Sequence, residues 1–255
     1  QASIYFKKVD RQVREDVYFL ARERENKDAE ALDDLMDQLV EKRHQLALNA
    51  GYENYRDYMF DEKHRFDYSP EDCQAFHQSV ATAIIPLLRK IDEQRKASIG
   101  LDALRPWDMV VDPLQQAPLK PFNTTEDFVN KTVHCFNKLD PYFGACIADM
   151  YAKGNLDLES RKGKAPGGYM MAMPESGVPF IFMNHASSEG DVRVMVHEGG
   201  HALHSLLDYS IPFANMRNTP SEVAELASMS MELFSLENWE SYYPNEGDLK
   251  RAKRN

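Results

Sequence analysis

Apolar residues recur every three or four positions through about the first 150 residues, the period of helices that bury one face. Three such stripes run from Val9 to Leu20, from Leu32 to Val40 and from Phe76 to Ile91. The second stripe stops near Gly51 and the third before Gly100, and glycine often follows the last helical residue. The pattern therefore predicts a succession of helices in this half of the chain.

Helix start signals support the same interpretation. Ser69 precedes Pro70 and two acidic residues, which is the order of a helix cap followed by a first turn. The segment Asn123–Glu126 predicts another start, and Pro141 predicts a third. We interpret residues 1–154 as a helical region.

The pattern changes near residue 155. Leu156–Leu158 alternates briefly, and a Gly-rich basic loop follows it. Two apolar runs, Tyr169–Met173 and Val178–Met183, flank a turn that contains Pro and Gly, which predicts a β-hairpin. Helical spacing returns from Glu189. The sequence thus predicts a mainly α protein with a small β element, in which residues 155–255 form the second region.

The composition of the chain limits which binding partners and which cellular compartment are expected. The chain has 255 residues, enough for one large domain or two modest ones, and its formal charge of −11 argues against nucleic acid or an anionic membrane as the main partner. The sequence has no apolar run near the roughly 18 residues of a membrane span and no secretory signal at its start. Three irregularly spaced cysteines imply no disulfide framework, so we expect a reducing, cytoplasmic location. Because the chain begins with Gln1, we expect it to be processed or cut from something longer.

Residues 197–201 spell His-Glu-Gly-Gly-His, which matches the H-E-x-x-H pattern of zinc proteases. Residues four apart lie one above the other on a helix, so His197 and His201 can reach one cation. Glu198 is turned about 100° away and can instead act on water beside the metal. Zinc lowers the pKa of bound water from 15.7 to about 7, and a carboxylate can take its proton.

The motif alone is also compatible with two histidines that share a helix face and bind no metal. The residues next to it in the sequence favour a metal site. Val194–Val196 make the helix apolar just before the motif, which predicts a buried setting. Gly199 and Gly200 each cost a helix about 1 kcal/mol relative to Ala, so their presence predicts that another helix or a substrate approaches this backbone closely.

A third ligand is available on a later helix. The metzincin pattern fails because Leu207 occupies the position of its third histidine. Thr219 to Glu222 predicts a capping box that occupies Glu222 with the amides of its own helix. Glu225 lies one turn further, among apolar residues, where a carboxylate is costly without a cation. We therefore predict Glu225 as the third ligand, which leaves one position open for water.

Two more polar residues share these helix faces. His204 lies on the face of His197 and His201, and we expect it to support the ligands or to pack, because a fourth ligand would close the site. Glu232 repeats the face of Glu225 two turns on. It can hydrogen-bond a metal-binding histidine, and a plain salt bridge is the alternative.

These residues resemble the oligoendopeptidase F branch of the thimet oligopeptidase family of zinc metallopeptidases. The resemblance covers about residues 164–239 and is carried by Gly167–Met170, Pro179–Asn184, His197–Ser205, Glu222–Ser228 and Met231–Glu232. It implies a prolate, helical zincin-type peptidase with a small β element next to the active-site helix. It also implies that this chain is only part of the family fold.

The resemblance implies a ligand set of His197, His201 and Glu225 for one Zn²⁺ per chain, with Glu198 as the general base. The implied activity is hydrolysis of internal bonds in short unstructured peptides. The strand before the active-site helix would pair with substrate backbone as an added strand. Its residues are Gly167, Gly168, Tyr169 and Met170.

The family carries tyrosine and histidine residues in a downstream Gly-rich loop, which this sequence does not contain. We therefore expect the remaining C-terminal part of the parent polypeptide as a partner, besides peptide substrates. Two alternatives stay open at this point: a dipeptidyl carboxypeptidase of the same family and a non-catalytic fragment that holds zinc and binds peptides.

Overall fold

The computed structural model describes residues 4–254, and these divide into two compact units at residues 118 and 119. The sequence pattern instead placed a boundary at residue 154. That change in pattern marks the first strand, which begins at Leu156, but it is not where the compact units part. The two helices before Leu156 contribute Phe136 and Ile147 to the same buried cluster as the strands and the later helices, so they belong to the second unit.

The first unit is helical, as predicted. Its helices are α1 (Arg11–Asn26), α2 (Ala29–Asn49), α3 (Tyr55–Glu62), α4 (Pro70–Ser79) and α5 (Ile85–Ile99). The predicted helix start at Ser69 is confirmed, and it is a capping box: the Asp72 amide donates to the Ser69 hydroxyl and the Ser69 amide donates to the Asp72 carboxylate. A single π-helical turn separates α4 from α5 next to Pro86, whose ring nitrogen cannot donate a helical hydrogen bond. Helix α5 ends at Gly100, which adopts a left-handed φ of 78°.

Polar contacts hold the buried part of this unit. Arg14 is 2% exposed, and its guanidinium donates to the Trp107 carbonyl at 2.7 Å and to Asp108 at 3.1 Å. Arg11 adds two 3.0 Å hydrogen bonds to the same carboxylate, which is fully buried. The apolar stripes predicted on α2 and α5 lie largely at the surface, with Leu32 59% and Leu87 53% exposed.

The second unit contains the three-stranded sheet and the later helices. Its elements are α6 (Thr125–Asn137), α7 (Pro141–Ala152), β1 (Leu156–Glu159), β2 (Tyr169–Met171), β3 (Phe180–His185), α8 (Glu189–Asp208), α9 (Ser221–Ser235) and α10 (Glu246–Arg254). The hairpin is confirmed: β2 and β3 pair antiparallel, with Met170 opposite Ile181. Strand β1 adds to β3 in parallel, so that β3 is the central strand. The fold is mainly α with a small β element, as the sequence predicts.

One face of this sheet packs into the core of the unit. Ile181 and Met183 point inward and are at most 1% exposed, and Val192, Met195 and Val196 of α8 are fully buried in the same cluster. The sheet therefore supports the N-terminal half of α8. Among the helices of residues 4–254, none combines the length and apolar character needed to cross a membrane.

Candidate metal centre

Helix α8 carries the His-Glu-Gly-Gly-His motif in its third turn. The helix starts after Ser188, whose backbone amide donates to the Asp191 carboxylate at 2.7 Å. Burial is confirmed for two of the three residues predicted before the motif: Met195 and Val196 are fully buried and anchor this turn in the core, whereas Val194 is 37% exposed. His197 and His201 therefore emerge one above the other, with ring centroids 4.9 Å apart.

The two glycines of the motif allow close approach of neighbouring helices. A Cβ atom on Gly200 would lie 2.8 Å from the Cα of Ser228 and 2.9 Å from the Cβ of Met231, both on α9. A Cβ on Gly199 would lie 2.9 Å from the ring of Phe136 on α6. The prediction of close backbone approach is confirmed, and the approaching elements are helices.

The predicted capping box of α9 is wrong. Pro220 is the residue before the helix, with a ψ of 142°, and this N-cap residue provides no side-chain cap. The helix begins at Ser221, one residue later than the box requires, so Glu222 is too early to be its acidic partner. The Ser221 hydroxyl instead donates to the Glu222 carboxylate at 3.1 Å.

Glu225 meets the two histidines. Its Oε2 lies 3.4 Å from Nε2 of His197 and 3.7 Å from Nε2 of His201. Donors about 2.0–2.1 Å from a tetrahedral ion lie roughly 3.3–3.4 Å apart, so these separations fit one metal ion between the three side chains. The described residues form one group of this kind, with its donor atoms all within 4.8 Å of one another.

The environment of Glu225 differs from the sequence argument. That argument placed its carboxylate among buried apolar residues, but the side chain is 53% exposed. The neighbouring Val223 and Leu226 are also exposed, by 46% and 66%. The apolar residues beside Glu225 therefore face outward, so burial gives no reason to expect a cation at Glu225. The case for a metal ion rests instead on the two imidazoles that face its carboxylate.

Glu232 and His204 take different roles. The Glu232 carboxylate lies 2.8 Å from Nδ1 of His197, which orients the ring so that Nε2 faces Glu225. The Nε2 atom of His204 lies 3.6 Å from the Asp208 carboxylate. Within the described residues, His204 is not a fourth member of the donor group.

Glu198 is buried beside the donor group, with 8% of its surface exposed. Burial raises the pKa of this carboxyl, and His197 together with a hydrogen bond from the Met170 backbone amide offsets part of the rise. Burial also lowers the pKa of His201, helped by the nearby His197, so that the neutral imidazole that binds metals is favoured.

The residues predicted to contact substrate lie on and just before β2. Within the described residues, β2 pairs with β3 alone, so no strand covers its other edge. The Met170 amide already donates to Glu198. Gly167 has a φ of 98°, and a Cβ on Gly168 would lie 3.2 Å from Val194 of α8. Tyr169 stacks on Phe182 at 4.9 Å, and Met170 packs against the core. The structure thus brings this strand next to the motif helix.

Lys164 was not among the residues predicted for the site, yet its side chain is only 1% exposed in the loop before β2. This lysine lies in a basic loop with no periodicity, and a charge there usually faces solvent. A single sequence holds no signal that would have distinguished it from Lys162.

Comparison with known proteins identifies relatives of this arrangement. The model of a family described as peptidase family M3 matches residues 4–254. Group B oligopeptidase PepB of Streptococcus agalactiae is 26% identical over 166 residues, which is 61% of this chain and 27% of that protein. An oligoendopeptidase F homolog of Lactococcus lactis is 27% identical over 159 residues, or 58% of this chain and 25% of that protein.

Solved structures share the fold over nearly the whole chain. PZ peptidase A, solved with an inhibitor, matches with a TM-score of 0.93 and 26% identity over 99% of this chain and 44% of its own. A Bacillus anthracis protein assigned to oligoendopeptidase F matches with a TM-score of 0.91 and 26% identity, over 98% and 46%. The chain thus spans about a quarter of the curated relatives it matches and less than half of these solved structures.

Proposed function

The chain belongs to peptidase family M3, and from that premise we propose that the complete protein is a zinc-dependent endopeptidase that hydrolyses internal bonds of short unstructured peptides. The observation that carries the proposal is the convergence of His197, His201 and Glu225, whose donor atoms lie within 4.8 Å of one another. Two imidazoles and a carboxylate are the ligand chemistry of catalytic zinc sites that keep one position open.

His197, His201 and Glu225 would hold one Zn²⁺ per chain. Their separations of 3.4 and 3.7 Å suit a tetrahedral ion, and Glu232 fixes the ring of His197 in the required orientation. When bound, zinc would polarise the peptide carbonyl and acidify the attacking water. The proton transfers would be carried out by a side chain beside the metal.

Glu198 is the proposed general base. Its burial next to His197 places a carboxylate with a raised pKa beside the donor group. A carboxylate there can accept a proton from the attacking water at one oxygen. It then returns that proton to the nitrogen of the leaving amine. The raised pKa favours the first transfer, because it makes the carboxylate a stronger base toward the attacking water.

The free edge of β2 is the proposed substrate-binding element. An extended peptide can add to such an edge as another strand, so that its backbone pairs with Gly167–Met171 and its scissile bond lies over α8. This mode recognises backbone and requires an extended segment, which supports a preference for short unstructured peptides. The three free cysteines, Cys73, Cys135 and Cys146, support a cytoplasmic location for this activity.

A second candidate is a module that holds zinc and binds peptides without cleaving them. It rests on one observation, namely that the chain spans less than half of the solved structures it matches. Donors that stabilise the oxyanion are each worth about 10²–10³ in rate, and they can come from chain outside this span. Cleavage by the complete protein distinguishes the two candidates.

The test is hydrolysis of quenched fluorescent peptides of about ten residues by the complete protein, with and without a chelator. We expect cleavage that the chelator abolishes and added zinc restores. Glu198→Ala should keep its zinc and lose roughly 10²–10⁴ in kcat. Glu237→Ala, at a carboxylate 87% exposed, serves as the matched control and should cleave normally. Full activity in Glu198→Ala would exclude the proposed base.

A further inference from the structure

The Lys164 ammonium group is buried at the sheet, although it belongs to a surface loop. Its Nζ donates to the carbonyls of Met183 at 2.6 Å, Glu159 at 2.8 Å and Asp157 at 2.9 Å. The Asp157 carboxylate lies 3.0 Å away, and the Phe182 ring centroid lies 4.4 Å away. One cation thus joins backbone atoms of β1 and β3 to the loop that precedes β2.

This position coincides with an irregularity in the sheet. The parallel register of β1 and β3 shifts between Asp157 and Glu159, which pair with Phe182 and His185 respectively. Such a bulge interrupts the regular ladder and leaves backbone groups that need other partners. The carbonyl of Met183 lies inside the irregular stretch, and those of Asp157 and Glu159 lie at its two ends. Lys164 supplies donors to all three.

The same contacts reach β2. Phe182, which faces the ammonium group, stacks on Tyr169 with ring centroids 4.9 Å apart and planes within 11°. The Asn184 side chain donates to the carbonyls of Ala165 and Gly167 at 2.8 and 3.0 Å, which fixes the loop between Lys164 and β2. The backbone of β2 is therefore held from its outer face as well as by pairing with β3.

We propose that Lys164 is a positioning residue, whose buried ammonium group sets the place of β2 beside α8. The geometry links it to the site in two steps: Lys164 holds Phe182 and the loop, and these hold Tyr169 and Met170. The Met170 amide in turn faces Glu198. The effect of Lys164 on peptide binding rests on the proposed function, whereas its effect on the position of β2 does not.

Amide hydrogen exchange of the complete protein tests the structural step. Lys164→Met keeps the length of the side chain and removes its charge, and Lys162→Met, at an exposed lysine of the same loop, is the matched control. We expect about tenfold faster exchange in residues 165–171 of Lys164→Met, with residues 128–136 of α6 unchanged. Exchange equal to that of Lys162→Met would overturn the proposal, and so would faster exchange spread evenly over residues 119–254.

Phe182→Leu keeps the carbonyl contacts of Lys164 and removes the ring it shares with Tyr169. Its amide hydrogen exchange is measured in the same way. If Lys164→Met does not fold, this second variant decides whether the proposal holds. Faster exchange confined to residues 165–171 supports the proposal, and unchanged exchange overturns it.

Peptide cleavage by the complete protein tests the consequence for binding. Loss of a well-placed binding strand weakens substrate and transition state alike, so KM should rise about tenfold in Lys164→Met while kcat stays within about twofold. A lower kcat at unchanged KM is what a smaller folded fraction produces, and it would overturn the proposal. If the unaltered protein cleaves no peptide, the proposed function fails, and the exchange experiment alone decides the role of Lys164.

Discussion

Glu222 and Glu225 lie less than one helical turn apart on α9, yet the donor group of the described residues includes only Glu225. The difference is one of direction around the helix. Glu225 shares its face with Ser228 and Glu232, the residues that look toward α8, and its Oε2 accepts a 3.2 Å hydrogen bond from the Ser228 hydroxyl. The pair therefore offers a matched comparison for the identity of the third ligand.

Glu225→Ala should lower zinc affinity by at least about 100-fold, because two imidazoles would remain without the carboxylate that completes the site. Glu222→Ala should keep one zinc per chain. Metal content after dialysis against a weak chelator measures both variants side by side. Equal metal loss from the two would remove Glu225 from the ligand set.

The sequence predicted which side chains come together better than it predicted their surroundings. The spacing of His197 and His201 is dictated by helix geometry, so it could be recognised without a structure. The outward-facing apolar neighbours of Glu225 could not, because burial depends on which elements pack on a helix and not on its local composition. The start of α9 was misplaced for a similar reason: the order of Thr219 to Glu222 suits a capping box, but the non-helical backbone at Pro220 delays the helix.

At the scale of elements, the site depends on how closely α8 approaches α9. Gly200 faces the backbone of Ser228, whereas Gly199 faces the ring of Phe136. A backbone atom within a helix cannot move without shifting the whole element, but a ring can rotate or tilt. A side chain at position 200 would therefore disturb the packing more than one at position 199, although the two glycines are adjacent.

Gly200→Ala should reduce the free energy of unfolding by about 1–3 kcal/mol, since the added Cβ would force α8 and α9 apart by overpacking. Gly199→Ala should cost less: both substitutions gain about 1 kcal/mol of helix propensity, but the Phe136 ring can move aside whereas the Ser228 backbone cannot. Denaturant unfolding of both variants measures the difference. Equal destabilisation would contradict the account of helix contact.

The sheet was predictable in part. Two apolar runs around a Pro- and Gly-bearing turn predicted the β2–β3 hairpin, since that pairing is local. The parallel addition of β1 was not predictable, because it joins segments separated by a long loop and is set by tertiary packing. The contacts of Lys164 at the β1–β3 irregularity follow from that pairing, and they were missed with it.

Asp157 gives this sheet a dependence on pH. Hydrogen bonds from Arg161, together with the nearby Lys164, lower the pKa of its carboxyl to about 2 from an ordinary value of 3.8. Because the folded state favours the ionised form, the contribution to stability is complete above about pH 5 and is lost as the pH falls from about 4 toward 2.

Asp157→Asn should therefore lower the free energy of unfolding by about 1–2 kcal/mol at pH 7, a range reduced for partial exposure, and by progressively less below pH 4. Asp149→Asn is the control, because Asp149 pairs with Lys153 at the surface, where both side chains are about half exposed. Denaturant unfolding across this pH range measures the effect. A constant difference between Asp157→Asn and the unaltered chain would contradict it.

At the scale of the whole molecule, the most notable surface feature is the apolar stripe of α2. Leu32, Leu35, Met36 and Val40 are each more than half exposed, although helical periodicity normally marks a buried face. The pattern predicted the helix correctly, but periodicity does not say what covers the apolar face. The solved relatives contain more than twice the matched length, so their chains include material beyond the span compared here.

We expect the 255-residue chain to bind a hydrophobic dye through this stripe. Leu35→Lys should reduce the dye fluorescence at least about twofold, because it places a charge in the middle of the stripe. Gln38→Lys adds the same charge to the same helix outside the stripe and should leave the fluorescence unchanged. Equal effects of the two substitutions would show that the dye binds elsewhere.

The central claim is that His197, His201 and Glu225 bind one zinc ion between α8 and α9. Anomalous diffraction at the zinc absorption edge, from crystals grown with zinc, tests it most directly. The account predicts one strong peak about 2.0–2.2 Å from both Nε2 atoms and from a Glu225 oxygen. A peak coordinated by other side chains, or one that also takes His204 as a protein ligand, would contradict it.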